Sequence, residues 1–296
     1  MLKIARMSWM FLVLLYGLLK GGREIAKKKA METNSVMDVL VAYTVLSLIM
    51  VLPQAPQAGG LEPRFYFFIA LKSFCMFCAW LCGFYCLKKL PVSLYGIISL
   101  SRVIFGTLLG VIFLHETMTV LQIAGMILVI GGLLMLKFKP HSSANPVANP
   151  ANSTSATVSV FLVLLAFASC IFNSFSGFMD KILMRDISSA QLQFWYMLFI
   201  VIYYILFVLI KRQKLSWTVL KNGWIWALAA MFVIGDKALF IANANPNSRI
   251  TMMTLIKQSA CIVTILGGKF IFHEKGIGYK LICAAVVICG IVLGVM

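Results

Sequence analysis

Apolar positions in this chain come in long unbroken runs rather than in alternation with polar ones. "VMDVLVAYTVLSLIMVL" (residues 36–52) and "LQFWYMLFIVIYYILFVLI" (residues 192–210) are representative. A helix needs about 20 apolar residues to cross a bilayer. A membrane barrel would instead alternate apolar and polar positions. The runs predict helices near 7–27, 36–52, 65–87, 93–114, 119–136, 158–181, 189–210, 223–242, 250–272 and 277–295. Between the fifth and sixth lies "KFKPHSSANPVANPANSTSAT", rich in Pro, Asn and Ser and without apolar periodicity, which reads as a flexible linker. It contains a formal glycosylation sequon at Asn152-Ser153-Thr154, to which nothing else in the chain lends weight. The start, "MLKIARMSWMFLVLLYGLLKGGRE", has the basic-then-apolar order of a signal peptide. Lys20 and Arg23 stand where a small-residue cleavage site would be, so it reads as an uncleaved first helix.

The predicted fold class is therefore an all-α integral membrane protein with ten transmembrane helices. Composition agrees: 61% of residues are hydrophobic and 12% charged, with mean hydropathy +0.97, against about 25% charge in soluble domains. The net charge of +17 would suit nucleic acid if it formed one basic face. It does not; Lys and Arg gather at the ends of apolar runs, where they orient spans. The side reached after odd-numbered helices holds Arg23, Lys27, Lys28, Lys29, Lys88, Lys89, Lys137, Lys139, Lys211, Arg212, Lys214, Lys221, Lys275 and Lys280. The other side holds Lys3, Arg6, Arg64, Arg185 and Arg249. The positive-inside rule then puts the linker in the cytoplasm and both termini outside.

The chain also repeats itself weakly. A shift of 158 residues lays His115 on His273, Glu116 on Glu274, Gly110 on Gly268 and Gly132 on Gly290. A shift of 155 lays Pro91 on Pro246 and Ser93 on Ser248, and one of 153 lays Tyr43 on Tyr196 and Ser35 on Ser188. This predicts a first five-helix repeat at residues 1–137, a linker at 138–157 and a second repeat at 158–296. Five is odd, so the second repeat enters the membrane inverted. Inverted repeats place a substrate site at their interface near the midplane and permit alternating access.

The segment "GVIFLHETMTVLQIAGMILVIGGLLML", residues 110–136, resembles the EamA domain of the drug/metabolite transporter superfamily: an apolar helix, a short acidic turn and a Gly-containing helix. "GGKFIFHEKGIGYKLICAAVVICGIVLGV", in the second half, follows the same plan less closely. The resemblance implies ten helices and transport of a small molecule, and says little about which. One departure stands out: the family usually has Gly before the Glu, and both copies here have His. The two "HE" turns read as structural, the acid complementing the dipole of the helix that follows by roughly 0.3–1 kcal/mol. A metalloprotease needs HExxH, and Thr119 occupies the place of the second His. A pH-sensing role for His115 or His273 is the functional alternative.

Ionisable residues inside spans are costly and mark functional sites by default. Arg102 and Lys257 lie in apolar helices at positions equivalent under the shift of 155. Two cations facing each other across the repeat axis would make a dry positive pocket for a carboxylate or phosphate. The resemblance points the same way, since plastid phosphate translocators of that superfamily also use cations on these helices. Lys72, Lys237, Trp80 and Tyr95 are further candidates for the substrate site; Glu24, Asp180 and Asp236 are candidates for coupling. The bland alternative pairs the acids with Lys72, Lys181 or Lys237 on another helix. Lys20 and Arg23 would either line the cavity or snorkel to the interface, beside Gly21 and Gly22, which permit a bend or a close neighbour. Trp224 and Trp226 read as interfacial anchors.

Cys75, Cys78, Cys82 and Cys86 share a face of the third helix, but the first and last are about 16 Å apart at 1.5 Å per residue. Four thiolates so spread cannot hold one zinc at about 2.3 Å, so the row reads as close helix packing. Gly106 with Gly110, and Gly290 with Gly294, read likewise. No Walker motif, nucleotide loop, Ser-His-Asp set or clustered His ligands occurs. The expectation is a secondary transporter of a small polar metabolite, anionic or zwitterionic, in the cell membrane, not an enzyme and with no cofactor. Its expected partners are a small-molecule substrate and the lipid bilayer, not nucleic acid, with a homodimer left open. The rivals are an exporter of drugs or organic cations, a carrier of lipid-linked head groups, and a membrane scaffold with a filled interface.

Overall fold

A computed structural model describes residues 2–89, 98, 101–137, 160–271 and 277–295. These form helices α1 (Leu2–Met31), α2 (Val36–Val51), α3 (Pro63–Lys89), α4 (Ser101–Leu114), α5 (Val120–Lys137), α6 (Val160–Leu183), α7 (Ser189–Ile210), α8 (Gly223–Ala244), α9 (Ile250–Ile256), α10 (Ala260–Phe270) and α11 (Ile277–Val295). Among the described residues every regular element is helical. Among the described residues, seven stretches are long and apolar enough to cross a membrane: Val36–Gln57, Pro63–Gly83, Val160–Leu183, Ser189–Ile210, Gly223–Ala244, Ile250–Gly267 and Gly278–Val295. Ser101–Leu114 and Val120–Met135 are shorter apolar helices. The predicted linker, most of 90–100, Tyr95, His273 and Glu274 lie outside the described residues.

The helix boundaries have local causes. Ser35 caps α2 by accepting from the Asp38 amide at 3.2 Å. Ser188, its counterpart under the shift of 153, caps α7 in a reciprocal box with Gln191. Thr119 and Gln122 form the same box at the start of α5, at 3.1 and 3.3 Å. That box corrects one expectation: Glu116 does not serve the helix that follows it. Its carboxylate instead accepts from the amides of Ile250 at 2.6 Å and Thr251 at 3.0 Å, and from the Thr251 hydroxyl at 2.8 Å. It thus satisfies the otherwise unpaired first amides of α9, whose own N-cap position, Arg249, offers no side-chain acceptor. His115 lets the chain turn for this by adopting φ 52°, the left-handed conformation that favours glycine.

Helices pair tightly where side chains are smallest. α5 lies on α11 with Gly125 against Gly290: a Cβ on Gly125 would sit 2.5 Å from the Gly290 carbonyl oxygen. α1 runs through Gly21 and Gly22 as one helix, and Gly17 and Gly21 admit α10 and the 3-10 turn Lys257–Ser259 that separates it from α9. The largest core packs α2, α3, α7 and α8 around Tyr43, Phe77, Tyr196, Tyr204 and Phe232. Trp224 and Trp226 are exposed at the start of α8.

Two stability outcomes follow. His115→Gly relieves a strained φ and should raise stability by about 1 kcal/mol, read as a higher melting temperature in detergent. Gly125→Val should abolish the folded monodisperse protein, whereas Gly131→Ala, with nothing within 4 Å of its added Cβ, should leave it intact.

Candidate functional site

The charged residues of the spans converge on one cavity of about 210 Å³. α1 supplies Tyr16, Lys20, Arg23, Glu24 and Lys27; α3 supplies Lys72, Met76 and Trp80; α4 supplies Arg102 and Gly106. Asn173, Ser174 and Asp180 come from α6, Phe232, Asp236, Phe240 and Asn243 from α8, and Ile250, Thr254, Lys257 and Gln258 from α9 and the 3-10 turn. Tyr43 and Tyr196, matched by the shift of 153, both reach it. The helix breaks at Lys257 itself, where Ser259 and Ala260 meet the glycine face of α1. A 3-10 interruption inside a span often marks a hinge or a site.

Among the described residues, two ion pairs cross the cavity wall, one buried and one partly buried. The Lys72 ammonium, 1% exposed, lies 2.6 Å from Asp180 Oδ1. The rings of Tyr196 and Phe240 flank it at 3.5 and 4.6 Å, adding cation–π attraction in a desolvated setting. The Arg23 guanidinium meets Asp236 Oδ1 at 3.2 Å and lies over Tyr16 and Phe232 at 5.2 and 5.1 Å. The first pair joins α3 to α6 and the second α1 to α8. These are also two of the closest helix pairings in the bundle. Lys257 sits 5.6 Å from the Tyr16 ring. Lys20 has Arg102, Lys257 and Arg23 as like-charged neighbours and Glu24 as its counter-charge.

Among the described lining residues, six cations (Lys20, Arg23, Lys27, Lys72, Arg102, Lys257) face three carboxylates (Glu24, Asp180, Asp236), a net of +3. Lys72 and Asp180 are sealed in, while Glu24 is exposed. The cavity thus runs from a buried floor outward along α1. Asn173 and Ser174 add polar groups, the Ser174 hydroxyl donating to the Arg102 carbonyl at 3.3 Å.

Of the residues singled out from sequence, Arg102, Lys257, Lys72, Trp80, Glu24, Asp180 and Asp236 line this cavity. Lys237 does not; it turns away to donate to Gln54 at 2.7 Å. Tyr95 lies outside the described residues. The acids pair as the bland alternative held for Asp180, with Lys72, but Asp236 takes Arg23 rather than a lysine. Tyr16 was not singled out. Its signal was present in the polar stripe Tyr16, Lys20, Arg23, Lys27, whose spacing of four, three and four is one face of a helix.

Comparison with known proteins bears on the first half of the chain. Residues 7–138 match the EamA-like transporter family. This family belongs to the drug/metabolite transporter superfamily, and its members are transporters rather than enzymes. No curated protein matches the chain. A solved structure, described simply as the crystal structure of a protein, superposes on 97% of this chain and 96% of its own with TM-score 0.76 and 14% identity. That likeness is one of fold, and it extends beyond the EamA-like region over both halves. The protein is accordingly a multi-pass membrane protein whose residues 7–138 are similar to EamA-like transporters.

Removing one partner of a buried ion pair strands the other, at roughly 3–5 kcal/mol. Lys72→Met should therefore lower the melting temperature sharply, and Lys72→Met with Asp180→Asn should recover most of the loss. A double variant no more stable than the single would mean that the two side chains are not coupled.

Proposed function

We propose that the protein is a secondary transporter of a small polar metabolite, anionic in preference to zwitterionic, working across the cell membrane by alternating access between two inverted five-helix repeats. The observation that carries the substrate class is the net charge of +3 on a cavity whose floor is buried. Low dielectric around fixed cations raises their attraction for an anion. Arg offers a planar fork to a carboxylate or phosphate, and Lys offers a point charge. Lys20, Arg102 and Lys257 are the residues to which we assign substrate contact.

The pairing of helices supports the repeat. Exchange α1 with α6, α2 with α7, α3 with α8, α4 with the broken α9–α10, and α5 with α11. The packing of α1 on α8 then becomes that of α6 on α3, and α5 on α11 becomes itself. The two ion pairs exchange as well, with their charges reversed: Arg23 and Asp236 in one, Asp180 and Lys72 in the other. With the linker cytoplasmic, the mouth beside Glu24 and Lys27 faces inward. An exporter of organic cations would need carboxylates free for its substrate, and Asp180 and Asp236 are already held by Lys72 and Arg23.

The test is a thermal-shift screen of purified protein against anionic, zwitterionic and cationic metabolites. An anion at 100 times its Kd should stabilise the protein by about 2.7 kcal/mol. Arg102→Ala and Lys257→Ala should each remove that effect. Stabilisation by organic cations, unchanged in both variants, would overturn the anion assignment.

A further inference from the structure

The "HE" turn, which the central cavity does not use, lies at a second pocket. Its volume is about 540 Å³, and it is lined by Leu114, His115, Glu116 and Thr117 from the α4–α5 turn, Lys181 and Arg185 at the end of α6, and the α8–α9 connection. Asn243 lines both this pocket and the central cavity. Ile250, which lines the central cavity, is the residue whose amide Glu116 holds. One short segment, from Asn243 to Ile250, therefore separates the two spaces.

That segment is fastened from two sides. Glu116 accepts its three hydrogen bonds from Ile250 and Thr251, and Arg249 Nη1 donates to the Thr117 carbonyl at 3.1 Å. From α6, the Lys181 ammonium donates to the carbonyls of Asn243 and Asn245 at 2.9 Å each, and to the Ser248 hydroxyl. Gly110 makes room for the clasp: a Cβ there would stand 3.0 Å from Glu116 Oε2. The two fasteners differ in kind. Lys181 ties the segment to its own half. Glu116 ties α9 to the α4–α5 turn, 134 residues away. The second pocket also lies at the opposite end from the first mouth, because α1 runs antiparallel to α8: Trp9 packs near Ala242 and Gly22 meets Met231.

We propose that the second pocket is the other mouth of the substrate path, accepting the same class of small anion, and that Glu116 is the latch that seals it. Lys181, Arg185 and Arg249 against Glu116 give this mouth a net positive lining, as in the central cavity. Opening requires α9 to leave Glu116, and the 3-10 break at Lys257 is where α9 can turn relative to α10. This inference rests on the transporter reading.

No described lining residue of the central cavity is a cysteine, so Thr254→Cys, beside Gly106, adds one reporter there. Protein carrying Thr254→Cys is reconstituted in vesicles and treated from each face with membrane-impermeant methanethiosulfonates, anionic (sulfonatoethyl) or cationic (trimethylammonioethyl), and modification at residue 254 is read by peptide mass. With Glu116 intact, reaction should be much faster from the face beside Lys27 than from the second face. Glu116→Ala should open the second face, with the anionic reagent at least five-fold faster than the cationic one. Glu116→Gln, which keeps one acceptor oxygen, should lie between. The latch is overturned if Glu116→Ala, still folded and still labelled from the first face, stays closed at the second. It is equally overturned if the second face reacts as fast with Glu116 intact as in Glu116→Ala, and the anion assignment of this mouth falls if the cationic reagent is the faster once each rate is divided by that with a small free thiol. Reaction from neither face is a different failure: it would mean that the cavity is no aqueous path, and would sink the transporter reading itself.

Discussion

Charge inside a helical membrane bundle must find a partner within the protein, and much of this architecture follows from that constraint. An unpaired ion in a low-dielectric interior costs several kcal/mol or more. Lys72–Asp180 and Arg23–Asp236 meet the requirement across two helix contacts, α3 on α6 and α1 on α8. Each cation also lies against aromatic faces, Tyr196 and Phe240 for Lys72, Tyr16 and Phe232 for Arg23. Asp236 sits one turn from both Phe232 and Phe240, so a single face of α8 serves the two pairs. The pairs consume the deep carboxylates and leave an excess of cations around the remaining space. Structure and electrostatic character are thus linked: Asp180 and Asp236 are taken up in pairs that hold the bundle, and around the rest of the cavity Lys20, Lys27, Arg102 and Lys257 outnumber Glu24.

The bundle's two kinds of helix contact suit different tasks. α5 and α11 approach backbone to backbone at Gly125 and Gly290, a contact that van der Waals packing makes close and that has few alternative arrangements. The Glu116 clasp is polar and small. Its three hydrogen bonds all end on the first residues of α9, and α9 is separated from α10 by a 3-10 turn. A rigid seam on one side and a releasable clasp on the other are what a bundle needs if one element is to move without the rest coming apart.

The helices themselves were legible in the chain, because apolar runs of span length leave little choice in a bilayer. So were the membrane-buried charges: Arg102, Lys257, Lys72, Asp180 and Asp236 each interrupt an apolar run, and each lines the cavity. Their cost is local and needs no knowledge of neighbours. The stripe from Tyr16 to Lys27 was legible in principle, but it sits in a helix whose charges also read as a snorkelling boundary. Lys237 misled for the same reason: beside Asp236 in sequence, it lies around the helix from it and meets Gln54 instead.

What the sequence by itself determined was the inventory: helical spans, and ionisable groups placed where only a protein partner or a substrate can satisfy them. What only the tertiary structure decided was the pairing. Asp236 takes Arg23 from α1, and Glu116 caps α9 rather than α5, because a carboxylate bonds whichever donors packing brings within about 3 Å. Composition and periodicity carry no information about a contact made across 134 or 213 residues. The turn at His115 shows the same limit. A histidine in place of the family's usual glycine gives no sign of a left-handed turn, and the chain adopts one, since the local strain is small beside three hydrogen bonds at the end of a buried helix.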